Sequence, residues 1–187
     1  MLNFKKFFIY IFLIFTFSLV NSYAEIVKKV IVEGNERISN ETIVIYGDIQ
    51  LGKDYETSDV NLLIKKLYET NFFSNISINI ENNALKIIVK ENPIINTIVF
   101  DGEKASKFKE KIRELLILRE KASFVENNIK SDISLIKDFY KALGFYFVKI
   151  DANVEKLTKN RVNVVFKIDK GEEAKIAKIF FLGDKKI

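Results

Sequence analysis

Three stretches of this chain share one pattern of apolar and polar positions. They are Lys28-Lys29-Val30-Ile31-Val32-Glu33-Gly34-Asn35, Asn96-Thr97-Ile98-Val99-Phe100-Asp101-Gly102-Glu103 and Ala177-Lys178-Ile179-Phe180-Phe181-Leu182-Gly183-Asp184. In each, three apolar residues are followed by one further position, a glycine and a polar residue. The glycines stand 68 and then 81 residues apart. Spacing this long points to repeated small domains, since solenoid repeats run to 20–50 residues. A continuous apolar run of this length predicts a strand buried on both faces or covered by a helix. The glycine supplies a turn with φ > 0, where a Cβ would clash.

The pattern then changes to a helical period. After the first strand, Ser39 is placed to cap a short helix carrying Ile43, Val44 and Tyr46, and Gly47 and Gly52 bracket a loop. Ser58 is placed to cap a second helix, whose Val60, Leu63, Ile64, Leu67 and Tyr68 lie on one face. Asn71 is a left-handed stop for that helix. After the second strand, Phe108, Ile112, Leu115 and Leu116 form one helical face. Ser123 and Glu126 have capping-box spacing ahead of the stripe Ile129, Ile133, Ile136, Tyr140 and Leu143, which Gly144 ends.

Strict alternation follows each helical pair. Ile76, Ile78 and Ile80 alternate with Ser77, Asn79 and Glu81, and Asn82-Asn83 turns the chain into a return strand, Leu85 to Lys90. Likewise Val148, Ile150, Ala152 and Val154 alternate with Lys149, Asp151, Asn153 and Glu155, and Lys159-Asn160 leads into Val162 to Ile168. Period-2 alternation marks a strand with one wet face. The denser return strands suit the middle of a sheet. The order strand, helix, helix, strand, strand therefore occurs twice, an α+β fold of tandem βααββ modules. Each module is expected to be a three-stranded mixed sheet covered on one face by two helices. A sheet that small has exposed edges, and the alternating strands are the candidates.

Composition removes most chemistries. There is no Cys and no His, which excludes disulfides, thiolate nucleophiles, Cys/His zinc sites and His bases. The formal charge of +5 comes from basic residues interleaved with acids, without an arginine cluster, so nucleic acid is not an expected partner. Glu25, Glu33 and Glu36 are close in sequence, but nothing pairs them for catalysis. Asp54, Glu56 and Asp59 lack the glycine and terminal Glu of a calcium loop. No cofactor, metal or catalytic residue is expected. Phe72-Phe73 and Phe145-Tyr146-Phe147 read first as packing behind the helix ends and second as aromatic anchors for a partner.

The first 24 residues have the form of a secretory signal peptide. Lys5 and Lys6 precede an apolar run, Phe7 to Val20, and Ser22-Tyr23-Ala24 puts small residues at both positions required for cleavage between Ala24 and Glu25. The expected domains are then the leader at 1–24, modules at 25–92 and 93–170, and the first strand of a truncated third module at 171–187.

Val32-Glu33-Gly34-Asn35-Glu36-Arg37-Ile38, Leu67-Tyr68-Glu69-Thr70-Asn71-Phe72-Phe73-Ser74-Asn75-Ile76 and Val89-Lys90-Glu91-Asn92-Pro93-Ile94-Ile95 fall at the junctions of this βααββ order. So do Phe139-Tyr140-Lys141-Ala142-Leu143-Gly144-Phe145-Tyr146 and Phe166-Lys167-Ile168-Asp169-Lys170-Gly171-Glu172. The ordered set resembles the POTRA repeats of the BamA family of outer membrane protein assembly factors, over about residues 26–187. Two-partner secretion transporters and the translocation and assembly factor carry related repeats. The resemblance implies a periplasmic scaffold of β-barrel insertion, with no reaction catalysed. Its implied partners are unfolded outer membrane proteins and accessory assembly lipoproteins, and outer membrane association would run through a barrel that this sequence does not contain. A small exported ligand-binding domain or enzyme is the competing class. The physics of an exposed sheet edge adds a binding mode, strand addition by an extended guest. The expected peptide-binding edges are Asn75, Ile76, Ser77, Ile78, Asn79 and Ile80, and Val148, Lys149, Ile150, Asp151, Ala152, Asn153 and Val154.

Overall fold

The computed structural model describes residues 26–180. The leader, the Ala24–Glu25 cleavage position and residues 181–187 lie outside that range. The first module runs β1 (Lys29–Glu33), α1 (Asn40–Gly47), α2 (Thr57–Glu69), β2 (Phe73–Glu81) and β3 (Ala84–Glu91). The second runs β4 (Ile94–Asp101), α3 (Ser106–Leu115), α4 (Asn128–Ala142), β5 (Lys149–Leu157) and β6 (Arg161–Asp169). The sheets have strand orders β1-β3-β2 and β4-β6-β5, with the first pair of each parallel and the second antiparallel. The expected mixed α+β architecture is therefore present twice, with the dense return strand at the centre of each sheet.

Each module has its own core. Leu63 and Leu67 from α2 and Ile43 from α1 pack on Ile76, Leu85, Ile87 and Val89. Ile112, Ile136 and Tyr140 pack on Ile98, Phe100, Ile150, Val164, Phe166 and Ile168. Leu118 and Phe124, from the connection between α3 and α4, complete the second core. Their contribution was invisible to a periodicity argument because the connection is irregular.

The repeated glycine has a stronger reason than its turn. Gly34 and Gly102 have φ of +84° and +88°, and a Cβ on either would collide with a backbone carbonyl, of Val89 or of Ile168. Chain exit from the first strand therefore happens directly against the central strand. Both hairpins turn through paired left-handed residues, Asn82-Asn83 and Lys159-Asn160. In the two-residue turn at Asn82-Asn83, positive φ at both central positions matches the right-handed twist of the strands.

β1 and β4 lie at the sheet edges, and Val30 and Val32 pack against the first core, which is the helix-covered reading of the apolar run. Three local expectations are corrected. The α2 cap is Glu56, whose N–H donates to Asp59 at 3.1 Å, and Ser58 lies inside the first turn. Leu115 is exposed while Leu116, just past the end of α3, is buried. Finally, Ser123–Glu126 is not the start of α4, which begins at Asn128. Residues 121–124 are instead tied to β4: Lys121 N–H donates to Ile95 O, Ile95 N–H to Ala122 O, and Phe124 N–H to Pro93 O. Asp132 on α4 then takes the amides of Ile117 and Leu118 at 2.6 and 3.0 Å, which fixes the rest of that connection.

The junction between modules is short and hydrogen-bonded on both sides. The Glu91 carboxylate, buried at the end of β3, accepts the amides of Glu36, Arg37 and Ile38 at 2.8–2.9 Å. Asn92 donates to Phe72 O from its backbone and to Asn71 O from its side chain, while Ile94 N–H donates to Asn160 O. Residues 171–180 are exposed and form no strand, though Ala174 N–H donates to Gly144 O. A strand needs a ladder partner, and among the described residues this segment has none.

Candidate functional site: the sheet edges

Buried or not, every backbone amide and carbonyl must find a partner in protein or water. The edges that remain open to a guest chain follow from this accounting. The collision sites of Gly34 and Gly102 show that the carbonyls of Val89 and Ile168 point toward β1 and β4. They therefore point away from their antiparallel partners, Ile76 on β2 and Ile150 on β5. Hydrogen-bonded and non-bonded pairs alternate along an antiparallel ladder. The outward backbone groups are thus those of Ile76, Ile78 and Ile80 on β2, and of Ile150, Ala152 and Val154 on β5. All six side chains turn toward the helical layer, and they are buried or half-buried.

On β2 the first of these is occupied. Ile76 N–H donates to the Tyr68 hydroxyl at 3.1 Å. Ser74 is a bulge beside it, with its hydroxyl on Lys90 O. Further along, Tyr55, Thr57 and Val60 form a groove of about 420 Å³ with Ile78, Asn79, Ile80 and Glu81. On β5 no side chain among the described residues bonds Ile150, Ala152 or Val154. Its wet face presents Lys149, Asp151, Asn153 and Glu155, and Val148 is buried just ahead of the strand.

The two first strands differ from one another. On β4 the Glu120 carboxylate accepts Ile98 N–H at 2.9 Å, and Arg113 donates to Ile98 O at 3.1 Å. Arg113 and Glu120 are 3.6 Å apart, so the two side chains act together as a substitute strand. With residues 121–124 covering the start of the strand, β4 is closed to guests over most of its length. Among the described residues nothing covers β1 in this way, but it is five residues long, and short edges are poor templates.

The expected edge residues thus fall on two edge strands, Asn75 to Ile80 within β2 and Lys149 to Val154 within β5. Tyr68, Arg113 and Glu120 were not singled out for this purpose in the sequence. Tyr68 reads there as one more member of a helical stripe, and no sequence signal aims a side chain at a strand edge. Of the aromatic run, Phe145 packs against Tyr140, while Tyr146 and Phe147 are exposed. Among the described residues no group of acids is placed to hold a metal ion, and no helix is long and apolar enough to cross a membrane.

Comparison with known proteins places this architecture. Residues 93–171 match the model of the POTRA family, described as a surface antigen variable number repeat. The outer membrane protein assembly factor BamA of Neisseria meningitidis serogroup B is 28% identical over 160 residues, covering 84% of this chain and 20% of that protein. BamA of Neorickettsia risticii is 23% identical over 162 residues, covering 87% of this chain and 22% of its own length. The chain therefore spans about a fifth of the length of these curated relatives. Among solved structures, the N-terminal domain of Omp85 from the cyanobacterium Thermosynechococcus elongatus superposes with a TM-score of 0.53 at 14% identity, covering 78% of this chain and 63% of that one, a likeness of fold. Residues 93–171 thus match the POTRA model, the first module repeats the same βααββ order, and the chain as a whole is similar in sequence to part of BamA.

Proposed function

We propose that this chain is a periplasmic scaffold of outer membrane β-barrel assembly, holding extended segments of unfolded outer membrane proteins by strand addition at the free edges of β2 and β5. The kinship with BamA supports the setting, and export by the N-terminal leader belongs to the same reading. So does a third module opened by Ala177 to Gly183, and so do contacts with accessory lipoproteins. The observation that carries the binding mode is the row of outward backbone groups on Ile150, Ala152 and Val154, with no partner among the described residues. An unfolded barrel strand is an extended chain of alternating residues. Backbone pairing accepts such a guest whatever its side chains, and a few hydrogen bonds hold it weakly enough to release. The role is binding, not catalysis.

Ala152→Pro tests this. It deletes an outward donor at a half-buried position, with little change to the core. A single hydrogen bond contributes about 0.5–1.5 kcal/mol, so affinity for an alternating Val/Thr peptide should fall roughly 2- to 10-fold. Unchanged affinity, with an unchanged fold by circular dichroism, would reject β5 as the binding edge.

A further inference from the structure

The two modules differ at the first outward amide of their alternating strands. The helix stops correspond: Asn71 N–H donates to Tyr68 O in the first module, and Gly144 N–H to Lys141 O in the second. Asn71 and Gly144 are both left-handed, with φ of 59° and 91°. Tyr68 therefore corresponds to Lys141, and Ile76 to Ile150. Tyr68 puts its hydroxyl on the first outward amide of β2. Among the described residues Lys141 makes no bond to β5; it pairs with Asp138 on its own helix.

We propose that the Tyr68 hydroxyl is a register stop, which limits a guest on β2 to Ile78 and Ile80 while β5 accepts pairing from Ile150 onward. The inference rests on strand addition as the binding mode and says which part of each edge takes part. A guest carbonyl can reach Ile76 only by displacing a tethered phenol, whose high local concentration favours the intramolecular bond. Position adds a consequence. Tyr68 lines a cleft of about 640 Å³ between the modules, together with Phe73 and Ser74 at the start of β2 and Lys156 and Leu157 at the end of β5. A guest paired beyond Ile76 would run into that cleft. The stop keeps it out, so the modules hold separate segments of unequal length, a shorter one on the first and a longer one on the second.

The test uses the full chain and an alternating Val/Thr peptide. A benzophenone side chain is placed in turn at Asn75, Asn79 and Asn153, all on wet strand faces. Crosslinking is expected at Asn79 and Asn153 and not at Asn75. In Tyr68→Phe, which keeps the ring and loses the acceptor, Asn75 should become reactive, with yield rising by about tenfold, and without guest the Ile76 amide should exchange about tenfold faster. Equal crosslinking at Asn75 and Asn79 in the unsubstituted chain overturns the register stop, as does Tyr68→Phe without effect on either readout. Crosslinking at neither Asn79 nor Asn153 in either chain defeats strand addition itself, and the stop with it.

Discussion

The hydroxyl of Tyr140 donates to the carboxylate of Glu103 at 2.5 Å, joining the fully buried end of α4 to the loop that leaves β4. Ala105 N–H and Lys170 Nζ complete the carboxylate's partners. The first module solves the same problem with the charges exchanged: there the acid, Glu91, ends the central strand, and Arg37 comes from the loop. Both arrangements neutralise a buried carboxylate and bind the loop after the first strand to the C-terminal end of the central strand beside it.

Burial of Glu103 opposes its ionisation, and the Tyr140 hydroxyl, the Ala105 amide and Lys170 outweigh burial, holding the carboxyl below the ordinary glutamate range. A depressed folded-state pKa stabilises the fold above the unfolded value, about 4.3 for Glu, and that stability is lost as pH falls through the lower folded value. The urea midpoint of the chain should therefore decline as pH drops below about 4.3. Glu103→Gln should flatten that part of the decline, measured as midpoint against pH.

Removing the phenol's partner should also cost stability at neutral pH. Glu103→Ala leaves the Tyr140 hydroxyl buried without its acceptor, a penalty of about 1–3 kcal/mol. Denaturant titration of Glu103→Ala and of the double variant with Tyr140→Phe measures the coupling. The second substitution should return part of the loss.

Gly34→Ala and Gly102→Ala should each destabilise their own module. A left-handed backbone alone costs a residue with a Cβ roughly 1–2 kcal/mol, and collision with the carbonyls of Val89 or Ile168 adds to it. Gly52, also left-handed but in open space, is the control and should show the smaller loss. Thermal melts of the three variants give the comparison.

Leu67, on the inner face of α2, is fully buried. Leu67→Ala should cost about 2–5 kcal/mol. Because the two cores are separate, amide exchange should accelerate across β1 to β3 while β4 to β6 keep their protection.

The Arg113–Glu120 pair predicts a change of a different kind. Glu120→Ala frees the Ile98 amide and opens β4, an edge that is otherwise closed. Native-state exchange at Ile98 should accelerate, and concentration-dependent self-association should appear in sedimentation, since an uncovered edge is a template for pairing.

The architecture could be read from residue order because both periods are local. Three apolar residues before a glycine, a stripe through Leu63 and Leu67, and alternation through Ile76 to Ile80 each report the geometry of a single element. The helix starts were less legible. Ser123 and Glu126 have the spacing of a cap, yet their segment pairs with β4, Ser123 bridging to Ile94, 29 positions earlier.

Sequence by itself determined the elements, their repeated order, the left-handed stops at Asn71 and Gly144, and which two strands alternate. Only the tertiary structure decided which strands lie at the edges, which edges are closed, and where Tyr68, Arg113 and Glu120 aim their polar atoms. The reason is physical. Periodicity records which side of an element faces apolar neighbours, whereas edge pairing depends on backbone groups that every residue carries alike. Their partners come from elements that meet only when the sheet and its helices are assembled.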